Sequence, residues 1–329
     1  MKKISAIISA LAMTVVIAEV PVMASDITIG YSLKSIQEER WQRELNGCIE
    51  AADNMGADLV YQVANGDAQK QISQIETMIE EGADVIMVTA VDAGGLTSVL
   101  DEAREKGIKI LIYDQQLQNS YGDVFVGYDD YDNGVMIASP LETLNVTGNV
   151  VLLNGAKASG MEKVINGEKS VLDKLDVNVA MELYCQNWTE ENAYICAQEA
   201  LKEYNNDIAA FVCMNDTIAS GAVKALEEEG KEGDVVVTGM DCELAALRRI
   251  ARGIQTSSVF KDSSSLSATA IETAVELAKG ERIQDDQVIN FGENDMPQVT
   301  VKSVVITKDN MNKEIINKGY YTYSEIYGE

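Results

Sequence analysis

Two doubly wound lobes of parallel sheet, α/β in class, are what this chain predicts. Short apolar runs alternate with helical periodicity from Asp26 onward, and the same alternation begins afresh near Asn149. The length of 329 residues suits about two domains of roughly 150 residues, each large enough for its own core.

In the first half, Ile27–Ser32, Asp58–Ala64, Asp84–Thr89, Ile108–Tyr113 and Asp123–Val126 predict buried strands. Their near-continuous apolar character is what a parallel strand needs when helices cover both of its faces. Between them, Ile72, Ile75 and Ile79 share one helical face, as do Leu96, Val99, Leu100 and Ala103. Gly56, Gly82 and Gly107 each close a helical run and precede the next strand, the place of a C-terminal cap. The second half predicts strands at Asn149–Asn154, Val177–Tyr184, Ala209–Met214, Val235–Gly239 and Thr256–Phe260. A helix follows over Ser263–Gly280, with Ile271, Ala274, Val275 and Ala278 on one face. Val299–Ile306 predicts a further strand and Asn310–Lys318 a closing helix. The halves share architecture without a residue-level repeat.

Composition excludes several functions. Acidic side chains number 53 against 26 basic ones, a net charge of −27, which repels nucleic acid at long range. The absence of histidine removes the usual general base of serine and cysteine hydrolases and the commonest metal ligand. Five cysteines, Cys48, Cys185, Cys196, Cys213 and Cys242, form no Cys-x-x-Cys pair. A disulfide framework and a thiolate zinc site are not expected, which leaves open one bridge between some pair. At the N-terminus, Lys2 and Lys3 precede the apolar stretch Ile4–Ile17, and Val22-Met23-Ala24 offers small residues for cleavage. Residues 1–24 are therefore expected to be a secretory signal peptide. A membrane anchor fits less well, because the run falls short of the ~20 residues a spanning helix needs.

In open parallel sheets, ligands sit beyond the carboxyl ends of the strands. Just past those ends lie Asp114, Asn215 and Asp216, Asp241 and Lys261, while Arg40 and Trp41 occupy the loop after the first strand. Trp188 opens the helix after Val177–Tyr184. Asp or Asn at such a place is often only a helix cap, and Asp216 is expected to cap the helix Thr217–Glu229. It is the recurrence of amides, carboxylates, single cations and indoles in both halves that points to a polyol. Hydroxyls donate and accept, so carboxylates and planar amides hold neighbouring pairs, and aromatic rings pack against sugar C–H faces.

Competing motifs are weak. Residues 154–160 mimic a phosphate loop, but Met161 stands where the phosphate-binding lysine belongs. Asp129, Asp130 and Asp132 lack the spacing of a calcium loop and are expected in a solvated turn. Arg248, Arg249 and Arg252 form a basic patch expected on an exposed helix face.

Six stretches resemble the D-xylose-binding branch of bacterial periplasmic sugar-binding proteins. They are IGYSLKSIQEERWQRE, ANGDAQKQISQIETMIEEGADVIMV, EAREKGIKILIYD, NWTEENA, MNDTIASGAVKALEEEG and GMDCELAALRRIARGIQTSSVFKD. The resemblance spans nearly the whole chain beyond the leader. It implies a type I periplasmic binding fold whose two lobes are joined by a three-strand hinge. It further implies capture of a monosaccharide, xylose or a related aldose, for delivery to ABC permease subunits. Some relatives instead present sugar to a chemoreceptor or sensor. A monomer in the periplasm or at the envelope exterior is implied, with no cofactor and no metal. Matched one at a time, Arg40 and Trp41 fall on the first-lobe loop, Asp114 on the acid of a Tyr-Asp-Arg, and Trp188 on the stacking aromatic. Asn215 matches an Asn-Asp amide, Asp241 a Gly-x-Asp acid, and Lys261 the cation of a hinge strand. Gln115 replaces the arginine after the first acid, and ASGMEKVI replaces an Asp-Asn-Asn region, with Ile165 near where an arginine commonly sits. These changes alter which hydroxyls can be satisfied.

The expected lobes are 25–128 plus 262–291, and 129–261 plus 292–329. The expected hinges lie near Gly127–Asp129, Phe260–Asp262 and Asn290–Asn294. Two rivals on the same lobes are weaker. A glycosidase needs paired carboxylates, and here the strand-end acids have neutral or cationic neighbours. A transcription regulator would carry a helix-turn-helix in place of the leader.

Overall fold

Strands β1 (Thr28–Leu33), β2 (Asp58–Val63), β3 (Val85–Thr89), β4 (Lys109–Tyr113) and β5 (Val124–Gly127) fall within a residue of the predicted runs. The computed structural model describes residues 27–328 apart from 38, 119, 158–160, 286, 292 and 293. The leader, residues 1–24, and Ala158–Gly160 of the ASGMEKVI stretch lie outside the described residues. Helices α1 (Glu39–Met55), α2 (Ala68–Glu80) and α3 (Thr97–Glu105) connect the first four strands, and α4 (Asp130–Thr143) follows β5. The second series is β6 (Gly148–Asn154), α5 (Glu162–Leu172), β7 (Val177–Tyr184), α6 (Glu190–Glu203) and β8 (Ala210–Cys213). It continues with α7 (Asp216–Glu228), β9 (Val236–Thr238), α8 (Leu244–Arg252) and β10 (Ser258–Phe260). The chain closes with α9 (Ser263–Ala278), β11 (Gln287–Phe291), β12 (Asn294–Thr300), β13 (Val304–Ile306) and α10 (Tyr323–Tyr327).

The first sheet has the order β11-β12-β5-β4-β3-β1-β2, parallel except for β11 against β12. Alternate residues of one strand serve opposite faces. Leu111 and Tyr113 of β4 pack with Trp41, Leu45, Leu266 and Ile271, whereas Ile110 and Ile112 pack with Ile75, Met78, Leu96 and Leu100. That division is why these runs show no polar alternation. The second sheet, β7-β6-β8-β9, is wholly parallel, and a bridge between Met240 and Val259 leads to the antiparallel pair β10-β13. Helices α4 and α5 meet at glycines. A Cβ at Gly134 would collide with the Val164 carbonyl, and one at Gly167 with the Tyr131 carbonyl.

Several expectations change. Val299–Ile306 is not one strand: β12 pairs with β5 in the first sheet, and β13 pairs with β10 in the separate two-stranded sheet. The third crossing between lobes therefore lies at Val301–Ser303 instead of Asn290–Asn294, and the first sheet extends past residue 291 to Thr300. Asn290 and Asn294 face each other's strands in the β11–β12 hairpin. Apolar residues stand on both sides of Lys302 and Ser303, with Val299 and Val301 before and Val304–Ile306 after, so the sequence pattern hides the change of sheet. Asn310–Lys318 contains a single π-type turn, Asn312–Ile316, and the closing α-helix comes later as α10. Arg40 and Trp41 sit in the first turn of α1, not in a loop. Asp129 caps α4, its carboxylate accepting from the Tyr131 and Asp132 amides at 2.8 and 3.2 Å, so the acidic cluster begins a helix.

Candidate functional site

The carboxyl ends of both sheets face a shared cavity of about 690 Å³ between the lobes. Seven of the eight residues singled out from the sequence line it: Arg40, Asp114, Gln115, Trp188, Asn215, Asp241 and Lys261. Three of them have left-handed backbone: Asp114 at φ 60°, Trp188 at φ 58° and Asp241 at φ 97°. Aspartate tolerates that region, but a tryptophan there is a genuine outlier, and such strain concentrates at functional sites. The Trp188 indole seats directly on Gly155, where a Cβ would overlap the ring.

On the first lobe, Arg40 bridges two carboxylates. Its Nη2 lies 2.6 Å from Asp114 Oδ1 and its Nε 2.6 Å from Glu44 Oε1. Burial pushes the Glu44 carboxyl up and Arg40 pulls it back, with a net upward shift. Lys34 Nζ donates to Gln115 Oε1 at 3.0 Å, which leaves the Gln115 amide N–H groups for a ligand. On the second lobe, Lys261 Nζ lies 2.9 Å from Asp241 Oδ1. Burial raises the Asp241 pKa, but the adjacent Lys261 ammonium outweighs it and holds the carboxyl below its usual value. Asn215 Oδ1 accepts from the Ile218 amide at 3.0 Å, so its Nδ2 remains to donate.

Asn215 is thus the cap of α7, and Asp216, expected to be the cap, is instead fully buried. Asp216 Oδ2 accepts from Ser258 Oγ at 2.7 Å and from the Glu243 amide at 3.0 Å, and Oδ1 accepts from Gln255 Nε2 at 2.9 Å. This network braces β10 and the loop bearing Asp241 from beneath.

Trp41 does not line the cavity. It is 2% exposed in the first-lobe core, with Lys34 and Arg40 over its ring at 4.5 and 4.6 Å from the centroid. Its contribution is to position those cations, and nothing in the sequence separates that role from direct stacking. Lining residues missed by sequence reasoning include Tyr128, Asp130, Asn133 and Met161. Tyr128 and Asp130 follow β5 directly, so the strand-end rule applied to that strand would have found them. Burial raises the Asp130 pKa against the pull of Lys261.

Charges in this cavity nearly cancel: three cations (Arg40, Lys163, Lys261) face four carboxylates (Asp114, Asp130, Glu162, Asp241) among the described residues, one negative charge in excess. An anionic ligand would meet no positive excess. A hydroxylated neutral one would find acceptors on each paired carboxylate, donors on each amide and an indole face. Among the described residues no group of three or more His, Cys, Asp or Glu side chains could hold a metal ion.

Residues 29–282 match the family described as a periplasmic binding protein domain. The D-xylose-binding periplasmic protein of Haemophilus influenzae is 34% identical over 309 residues, covering 92% of this chain and 93% of its own. The Escherichia coli protein of the same name is 32% identical over 329 residues, covering 98% and 100%. Among solved structures, a periplasmic ribose ABC transporter protein from Conexibacter woesei superposes with a TM-score of 0.79 at 19% identity, over 89% of this chain and 95% of that one. An ABC transporter solute-binding protein from Clostridium phytofermentans with bound β-D-glucose gives 0.74 at 24% identity, over 91% and 99%. A two-lobed α/β fold with a polar cleft, matched along nearly its whole length, makes this chain a member of the periplasmic binding protein family and a solute-binding protein rather than an enzyme.

Proposed function

We propose that the cleft captures a neutral monosaccharide, xylose or a related aldose, and that the loaded protein delivers it to the permease subunits of an ABC transporter. The single observation that carries this reading is the pairing of cation with carboxylate on both walls of the cleft. Arg40–Asp114 and Lys261–Asp241 are paired across 2.6 and 2.9 Å, and Trp188 offers a ring beside them. The xylose-binding names of the two relatives support the choice of sugar. Gln115, a neutral donor held by Lys34, argues for a hydroxyl pattern adjusted from theirs.

The sugar bridges the lobes, binds the closed arrangement better than the open one, and shifts the population toward it. Hinge closure around a ligand is the known motion of periplasmic binding proteins. Here the flexing segments are Gly127–Asp129, Phe260–Asp262 and Val301–Ser303. No bond is made or broken. Export by the leader would place the protein in the periplasm or at the envelope exterior, acting as a monomer. Calorimetric titration with aldoses, ketoses, polyols and sugar acids tests the reading. At least one neutral aldose is expected to bind near micromolar, about −8 kcal/mol. Binding of sugar acids alone, or of none of the panel, overturns it.

A further inference from the structure

The end of the chain reaches back to the cleft. After β13, Met311, Ile315 and Ile326 bury in one cluster with Leu247 and Ile250 of α8, and Arg248 Nε donates to the Glu325 carbonyl at 2.7 Å. From that second-lobe footing, Lys318 and Tyr320 extend to the crossing Phe260–Asp262. The Tyr320 ring meets Phe260 edge-on with centroids 4.6 Å apart, and its hydroxyl donates to Asp262 Oδ1. The Ser264 amide donates to the same hydroxyl at 3.2 Å, and Lys318 Nζ lies 3.3 Å from Asp262 Oδ2. Asp262 in turn caps α9, whose Leu266 and Ile271 pack in the first-lobe core. A second link runs alongside, with Arg43 of α1 over the Tyr321 ring at 5.6 Å from its centroid. Between the two residues that Tyr320 holds stands Lys261, which lines the cavity and pairs with Asp241.

We infer that Tyr320 is a positioning residue for sugar capture, fixing the crossing strand on both sides of Lys261 and thereby where that cation meets the guest. The inference rests on the cleft being the sugar site proposed above. Lysine is a point charge on a flexible stem, so its placement depends on its ion-pair partner and on the backbone beneath it. Asp241 supplies the partner, and Tyr320 secures the backbone. Its ring packs against Phe260 before the lysine, and its hydroxyl, donating once and accepting once, ties Asp262 to the Ser264 amide after it. Burial raises the Asp262 pKa, but the bonds from Tyr320, the Ser265 amide and Lys318 outweigh it and hold the carboxyl below its usual value. Asp262 is therefore a charged acceptor, the stronger kind. Because Tyr320 stands on the second lobe and α9 belongs to the first, the same contact joins the lobes at this crossing, and hinge motion turns about it.

The test compares the full chain with Tyr320→Phe, which keeps the ring and removes only the hydroxyl, and with Tyr327→Phe, which leaves the clasp whole. Two readouts are taken well below the melting temperature. Brief acetylation of the sugar-free proteins with acetic anhydride, followed by peptide mass mapping, reports the freedom of each lysine. Lys261 should react severalfold faster in Tyr320→Phe, while Lys106 and Lys169, on other ion pairs, keep the parent's rate. Calorimetric titration with the aldose that the parent binds should show affinity weakened about tenfold in Tyr320→Phe, the scale of one lost charge-assisted hydrogen bond. Tyr327→Phe should match the parent in both. Either readout left at the parent's value in Tyr320→Phe overturns the inference, and a lowered melting temperature with unchanged Lys261 reactivity and affinity does so by showing a purely structural role. A parent that binds no aldose overturns the function proposed above, and Lys261 reactivity then decides by itself whether Tyr320 positions the cation.

Discussion

Two buried carboxyl groups underlie the second-lobe wall of the cleft, and they are built in opposite ways. Asp216, beneath the Asn215, Asp241 and Lys261 side, accepts three hydrogen bonds. Glu168, on α5 behind the Met161–Val164 side, is equally buried, yet neither oxygen has a hydrogen-bond partner. Burial pushes both groups up. The bonds from Ser258 and Gln255 pull Asp216 back to about 7, whereas Glu168, with Glu182 adding to the upward push and only Lys169 opposing, reaches about 8. A satisfied acceptor anchors one half of the wall, and a protonated acid without partners sits under the other.

The largest expected effect lies at Glu168. Its folded pKa stands above the unfolded value, so its contribution is complete below the unfolded pKa of 4.5 and is lost as pH rises through about 8. The linkage limit of that loss is about 5 kcal/mol. Glu168→Gln should therefore hold its stability between about pH 5 and 8, where the parent declines before levelling off, as chemical denaturation at several pH values would read. Equal slopes for the two proteins would remove the contrast. The corresponding isostere at Asp216 should act in the opposite direction. Asp216→Asn turns an amide N–H toward donors from Ser258, Gln255 and Glu243, and is expected to cost roughly 3 kcal/mol at pH 8, above the pKa of about 7 where the parent group is an ionised acceptor. A neutral result would mean that the network does not brace the site.

Ligand affinity sharpens the same comparison. Asp241→Ala removes a charged acceptor and strands Lys261, and should weaken sugar binding by about 1.5–3 kcal/mol, or tenfold to more than a hundredfold. Met161→Ala, on the α5 side, should weaken it by less than about tenfold, because only a partly buried apolar contact is lost. Isothermal titration of both variants would rank the halves. The reverse order would shift the binding centre toward α5.

The fold was legible because its strands are buried on both faces. Val85–Thr89 and Lys109–Tyr113 are apolar at almost every position, a pattern that only a covered parallel sheet explains. The β11–β12 hairpin left no such mark, since Gln287, Asn290, Asn294 and Gln298 give an edge region little apolar signal. Strand-end position found most of the cleft, because the backbone alone decides what lies past a parallel strand. It failed where the outcome depended on side-chain packing. Trp41 points into the core, and Asn215 rather than Asp216 caps the helix, distinctions that composition and spacing do not carry.

The contact between α4 and α5 has a mechanical meaning. Gly134 and Gly167 let the two helices touch backbone to backbone, so they behave as one stiff arm. The pair is rooted at Asp129, beside the first interlobe crossing, and the cleft residues Glu162–Val164 of α5 lie against that root, where Val164 meets Gly134. Movement at the crossing therefore carries the α5 wall of the cleft as one body with the start of α4. A methyl group at either glycine would force the helices apart and displace that wall while every cleft side chain stayed chemically intact.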